Sequence, residues 1–374
     1  MSSERSPAST KEAQPVGSGD GPLTRAFAVA AYPVLLTVAI GGGALLVHAE
    51  VPKARVLLAS FSFMIVSGLL LEWVLPYSRE RDTKPSSAIE VVNSVINVVA
   101  NSRLFGPLVT LGAMRLAVAL TGQSGLMPAE WFGPWWMQAI VAYLLMDLSR
   151  YFIHRAQHRI PALWAFHKVH HGVQKMRTFN IQFSHPLDYA LRNVLTFGLP
   201  VLLGLSEEAI VLSHVMQHAI GIPSHYNVRL RFGVLNTIFA TCRIHRWHHA
   251  LDLKDGGDAN FSNGLVIWDR LFGTFHHPND RQGPDEMGID EGPARSLLAT
   301  VARPRGRATA ADTGRLGLDR GVSGGLGPEV PGVADGEQSE HALREHWQPS
   351  LGFHELAGVG IGEVDPELSA VRDE

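Results

Sequence analysis

At 374 residues the chain has the length of one or two domains. Apolar residues make up 46% and charged residues only 18%, against about 25% charged in an average soluble chain. The formal net charge of −3 offers no basic field of the kind a nucleic-acid partner needs, so none is expected. The single cysteine, Cys242, excludes an internal disulfide scaffold, a Cys-based zinc finger and an iron–sulfur cluster. Histidine is the outlier, with 18 residues, most of them between His154 and His249. Arginine dominates the basic residues, which is the codon habit of a GC-rich bacterial genome.

In chain order, residues 1–22 are Ser, Gly, Pro and charge and read as a disordered lead. No short apolar core with a small-residue cleavage site follows, so no removable signal peptide is expected. Leu23 to His48 and Leu57 to Pro76 are apolar runs that each meet the roughly 20-residue length of a bilayer crossing. A tight turn near Glu50 to Arg55 joins them. Ile89 to Leu120 carries Asn93, Asn97 and Asn101 at four-residue spacing. That spacing places the three on one helix face, expected to face protein. The segment reads as one helix, or as a helix broken at Gly106-Pro107. Trp131 to Leu148 is the next apolar helix, and its start, WFGPWW, suits an interfacial aromatic belt.

Charge sets the expected topology. Arg79, Arg81 and Lys84, then Arg150 and Arg155, fall on one side if each span crosses once, and the positive-inside rule makes that side cytoplasmic. Lys53 and Arg55 sit on the other side. Leu191 to Ile222 is interrupted by Gly198, Pro200, Gly204 and Glu207-Glu208, which fits two short helices or a re-entrant hairpin. From residue 279 to 374 the composition turns to Gly, Pro, Arg, Asp and Glu, and a mostly disordered tail is expected.

Three histidine clusters then stand out: His154 and His158 in HRAQH; His167, His170 and His171 in HKVHH; His245, His248 and His249 in HRWHH. On a helix, positions i, i+3 and i+4 share a face. At this chain's histidine frequency one HxxHH pattern is expected by chance only about 0.04 times, yet it occurs twice. Imidazole is the commonest neutral metal ligand. Eight imidazoles are too many for one tetrahedral zinc and would fill most of two five- or six-coordinate metals. Ligand type alone leaves iron, zinc, copper and nickel open. His225 is well placed ahead of the third cluster, and His214 and His218, also at i, i+4 spacing, stay open as ligands. HExxH, GxGxxG and GxxxxGK[ST] motifs are absent.

The run HRAQHRIPALWAFHKVHH (His154 to His171) resembles the HRxxHxxxxLWxxHxxHH core of the fatty acid hydroxylase and sterol desaturase superfamily. HRWHH, then Asp258-Ala259-Asn260-Phe261 and LVIWDRLFGTF, is similar to that superfamily's closing block. The likeness covers about Val91 to Phe275 and is nearest the bacterial sterol-desaturase-like branch. It implies an all-α, multi-pass helical membrane protein with about four transmembrane helices and a cytoplasmic helical cap holding a histidine-bound dimetal centre. The implied division is a transmembrane region over 23–150 and a histidine-box catalytic region over 151–278. The implied metal is iron, as a di-iron centre, with dioxygen as co-substrate and oxidation of a lipid C–H bond by hydroxylation or desaturation.

Carried over by position, the metal ligands are His154, His158, His167, His170, His171, His225, His245, His248 and His249. His185, in Ser184-His185-Pro186-Leu187-Asp188, matches a recurrent element and is expected to support these ligands or to join them. Asp147, Asp258, Asn260 and Asp269 are expected acceptors for imidazole N–H groups. No HPGG haem element is present, so electrons are expected from a separate ferredoxin, or from a b-type cytochrome with its reductase. The tail after His277 departs from the family's usual ending. The expected location is a bacterial inner membrane, with the active site on its cytoplasmic face. The competing readings are a histidine-rich membrane metal transporter and a non-catalytic lipid-binding homologue. Transporter ligands usually lie at the bilayer midplane, whereas these boxes follow the apolar helices beside Arg150, Arg155 and Lys168.

Overall fold

The computed structural model describes residues 19–78, 86–278, 281, 283–284 and 286–289. Arg79, Arg81 and Lys84 lie outside them, as do residues 1–18 of the expected lead and nearly all of the expected tail. Among the described residues the chain is helical, and its only β pairing is three isolated bridges, Pro76–Val228, Phe239–Leu265 and Ala250–Met287.

Helix α1 spans Pro22–His48 and α2 spans Lys53–Val74. Pro22 opens α1 at a position where its missing N–H costs nothing. Glu50, at φ 54°, and Pro52 make the turn between the two. Helix α3 (Ser86–Ala100) runs through a π-helical turn at Asn101–Phe105 into α4 (Gly106–Thr121). The expected break at Gly106-Pro107 is thus a widened turn just before it. A proline lacks the N–H for its i−4 carbonyl and crowds that carbonyl, and one π turn relieves both without interrupting the rod.

Pro22–His48, Lys53–Val74 and Ala88–Thr121 are the described helices long and apolar enough to cross a bilayer. Their outward faces carry exposed Val34, Leu45, Leu58, Leu70, Val95 and Leu108. So much apolar surface facing outward requires lipid in place of water. Helix α5 (Trp135–Arg159), expected as a fourth crossing, is long enough but less apolar than these three. Its inner half carries Asp147, Arg150, His154 and His158. It also runs unbroken across residue 150, where the expected regions divide.

Helices α7 (Pro186–Leu203) and α8 (Glu207–Gly221) form the two short helices expected after the second cluster. Gly204, at φ 89°, ends α7 in the left-handed region, and a Cβ there would lie 2.6 Å from the Met127 carbonyl oxygen, so only glycine fits. Ser206 caps α8 by accepting from the Ala209 N–H at 3.4 Å. Helix α8 packs on α5 and against α1 and α2, in a core that includes Tyr32, Met64, Leu71, Ala219, Ile222 and Tyr226.

Gly68 of α2 marks the closest approach between the membrane helices and the histidine-bearing part. A Cβ there would sit 2.5 Å from both Thr178 Oγ1 and a Tyr226 ring carbon. Tyr226 is held in place by its hydroxyl, which donates to the Met64 carbonyl. Gly68→Ala is therefore expected to destabilise the fold by about 1–3 kcal/mol through overpacking. A thermal melt in detergent checks this, and an unchanged midpoint would contradict the packing described.

Candidate metal centre

The site begins with a chain reversal. Ile160 precedes Pro161 and is held extended at φ −97°, ψ 115°, because a proline disfavours helix in the residue before it. Helix α5 therefore stops at Arg159, and α6 (Pro161–His171) folds back beside it. This brings the HRAQH and HKVHH faces together. Helix α9 (Cys242–His248) brings the third cluster, and the turn Ile222–His225 brings His225.

Nine histidines converge in two groups. His154, His158, His167, His171 and His248 form one; His170, His225, His245 and His249 form the other. In each group one ring nitrogen per residue lies within 4.8 Å of all the others. The two HxxHH motifs exchange members. In the first, His167 and His171, one turn apart, join the first group and His170 goes to the second. In the third cluster His245 and His249 join the second group and His248 goes to the first. Stacking of His171 on His249, centroids 4.4 Å apart, sets the groups side by side.

Buried nitrogens test whether metal fits. Imidazole nitrogens should be paired when buried. Yet His154 Nε2, His167 Nε2, His248 Nε2, His245 Nδ1 and both ring nitrogens of His249 are buried without a partner. His158 Nε2 faces His171 Nε2 at 3.1 Å, and His245 Nε2 faces His225 Nε2 at 3.2 Å. Lone pairs aimed at one another across such gaps suit a shared cation. The donor set of neutral imidazoles fits two metals.

The opposite ring nitrogens are tied outward. His154 Nδ1 donates to the Phe261 carbonyl at 2.7 Å, His248 Nδ1 to Ala259 at 2.7 Å and His170 Nδ1 to Phe183 at 2.9 Å. His167 Nδ1 donates to Asp188 Oδ1 at 3.1 Å, and His225 Nδ1 to Asn180 Oδ1 at 3.0 Å. A carbonyl oxygen only accepts, so in these rings Nδ1 carries the proton and Nε2 presents its lone pair inward.

Burial disfavours the charged form of several of the clustered rings. It pushes His170, His171, His245 and His249 well below the ordinary histidine range, and neighbouring imidazoles add to the shift. His225 and His248 are lowered to about 3 by the same causes. The sign for stability follows. The unfolded chain protonates near 6.5, so below that pH it binds protons that the fold refuses. The metal-free protein is expected to hold its full stability above about pH 6.5. As pH falls below that, stability is lost progressively, because the unfolded chain takes up protons that the buried rings refuse. Thermal melts of metal-free protein from pH 7.5 down to 5 check this, and a midpoint that stays level or rises would contradict it.

Asp147, Asp258, Asn260 and Asp269, expected to accept from imidazole N–H groups, bond other partners in the structure. Asp269 accepts from the N–H groups of Phe261 and Ser262, at 2.8 and 3.0 Å, and from Thr274 Oγ1 at 2.7 Å. Asn260, at φ 55°, bonds the Ile244 carbonyl and both backbone groups of His276. Together they fix the loop whose Ala259 and Phe261 carbonyls receive His248 and His154. Asp147 accepts from Leu265 N–H and Trp268 Nε1, both at 2.9 Å, at a close approach where a Cβ on Gly264 would meet its carboxylate. Asp258 pairs with Arg159 at 2.8 Å.

His185 is not brought to either group. It caps α7, with its Nδ1 accepting from Leu187 N–H at 3.2 Å. The aspartate three residues on, Asp188, takes the inward place. Besides His167 it accepts from Gln157 Nε2 at 2.5 Å and pairs with Arg192 at 3.2 Å. Asp188 and Asn180 are the supporting residues that the sequence reading missed. Position in the first turn of a helix after a proline was the available signal for Asp188. His214 and His218 also stay apart, and His218 Nδ1 meets Ser60 Oγ at 2.8 Å.

The fatty acid hydroxylase sequence family matches residues 139–274, a stretch holding all nine histidines. Ornithine lipid hydroxylase OlsE of Rhizobium tropici is 30% identical over 242 residues, 64% of this chain and 72% of that protein. The chain belongs to the fatty acid hydroxylase family. Alkylglycerol monooxygenase of Homo sapiens is 28% identical over 40% of this chain and 33% of its own length. Methylsterol monooxygenase of Aspergillus fumigatus is 26% identical over 39% of this chain and 49% of its own. No solved structure matches. The resemblance read from the histidine boxes and the family placement agree, and the apolar helices mark an integral membrane protein.

Proposed function

We propose that this protein is a membrane oxygenase that hydroxylates or desaturates a lipid C–H bond at a di-iron centre held by the nine histidines. The carrying observation is the pair of buried imidazole groups with inward nitrogens that have no other partner. His154, His158, His167, His171 and His248 would hold one iron; His170, His225, His245 and His249 would hold the other. Bound iron would supply the dioxygen chemistry that no side chain here supplies.

The residues around it orient and exclude water. The Nδ1 bonds to Phe261, Ala259, Phe183, Asp188 and Asn180 lock ring planes and tautomers. Burial of every ring keeps water away from a reactive centre. Neighbouring apolar helices give a lipid a route from the bilayer. Electrons come from a separate ferredoxin or b-type cytochrome with its reductase. A bacterial inner membrane with the centre on its cytoplasmic face is the setting proposed, which supplies reducing equivalents. The test is oxygen uptake by iron-loaded protein with a reductase system and a bacterial lipid extract, followed by mass analysis of the lipids. A lipid gaining one oxygen or losing two hydrogens is expected. Oxygen uptake with no change in any lipid would contradict the proposal.

A further inference from the structure

Beside the second histidine group lies a cavity of about 90 Å³ bounded by α5, α7, α8 and the π turn. It reaches His170 and His225 at one end and Arg150 and Arg192 elsewhere on its wall. Its polarity is unexpected for a lipid enzyme: Gln217, Asn193 and His214 also line it, and among the described residues no carboxylate does.

The two arginines are not equivalent. Arg192 is answered by Asp188 at 3.2 Å and donates to Ser184 Oγ at 3.0 Å. Arg150 has no carboxylate in ion-pair contact among the described residues, and Asp147, one turn back on α5, attracts it only from beyond that distance; its guanidinium donates to the Gln217 amide oxygen. A cation set inside a protein without a counter-ion is costly unless an anion joins it. Unspent polar atoms gather on the same wall. His214, buried and stacked on Phe197, leaves its Nε2 without a partner. Asn101, carried on the π turn of a membrane-crossing rod, leaves its Oδ1 without one. Such turns recur at functional sites because they re-aim a side chain.

We propose that this cavity seats the anionic group, carboxylate or phosphate, of the lipid substrate on Arg150, so that the carbon oxidised lies within the headgroup or a few bonds from it. The cavity is too small for an acyl chain and holds only several waters, so a chain must trail out toward the bilayer. The group seated on Arg150 and the carbon presented to His170 and His225 then share one short space. The inference rests on the oxygenase reading only for the fate of the bound lipid.

Binding tests it without turnover. Metal-free full-length protein in neutral detergent is titrated with a fatty carboxylate and a phosphatidic acid. The alcohol and diacylglycerol of the same chain lengths, and inorganic phosphate, serve as comparisons, all read by native mass spectrometry. Wild-type protein is expected to bind each anionic lipid at least about tenfold tighter than its neutral counterpart, the scale of a charge-assisted hydrogen bond. Arg150→Gln is expected to erase that preference and Arg150→Lys to keep part of it. Equal binding of anionic and neutral lipids by wild-type protein would overturn the inference even if Arg150→Gln fails to fold. Tight binding of inorganic phosphate alone would make this a free-anion site and overturn the lipid assignment. Anion preference in a protein that oxidises no lipid would instead count against the oxygenase reading.

Discussion

Replacing His170 with alanine is expected to remove one of two metals per chain and to abolish turnover. His170 belongs to the group of four, with His225, His245 and His249. Losing one of these four imidazoles should weaken the hold on a divalent ion there enough to empty the place on purification. The loss of activity should exceed the roughly 10–100-fold that follows removal of a partner outside the ligand set. His158→Ala strikes the other group, and it should lower metal content by the same step while leaving the second metal in place. Elemental analysis of both purified variants beside wild type reads this directly. Full activity in His170→Ala, or unchanged metal content in both variants, would show that the two groups are not the metal-holding units.

Asp188→Ala should carry the largest combined cost among residues that touch no metal. Its carboxylate accepts from His167 Nδ1 and Gln157 Nε2 and pairs with Arg192. Near histidine and arginine its acid is held below the usual carboxylate range despite burial, so it is charged at neutral pH. Truncation strands Arg192, whose side chain is only 16% exposed, without its counter-ion. Breaking a buried pair from one side costs about 3–5 kcal/mol. It also frees the His167 ring to rotate, which should weaken metal binding by roughly 10–100-fold. Asp188→Asn keeps the shape and one acceptor and should fall between alanine and wild type. Thermal melts and metal titrations of both variants measure the two effects, and wild-type values for Asp188→Ala in both would contradict the network.

Much of this cluster was legible in the sequence because its histidines obey helical geometry. The i, i+4 pairs His154/His158, His167/His171 and His245/His249 each keep to one group, as a shared helix face requires. His225 could be placed only by the resemblance and its position before the third box, since the turn that carries it has no helical periodicity. The supporting residues were harder to read for a physical reason. The acceptors for His154, His170 and His248 are main-chain carbonyls, and every residue offers one. Asp269 and Asn260 matter by holding those carbonyls still, which no pattern of side chains announces. His185 and Asp188 share one short motif, but the turn before α7 makes the first a helix cap and points the second inward. The apolar pattern of α5 is diluted in its second half by Asp147, Arg150, His154 and His158.

Metal content and spectroscopy of anaerobically purified protein test the central claim most directly. Elemental analysis with Mössbauer spectroscopy after iron-replete expression should find two irons per chain with the spectrum of a coupled pair. One zinc per chain, or no bound metal, would contradict the di-iron account and leave the nine histidines without the role proposed for them.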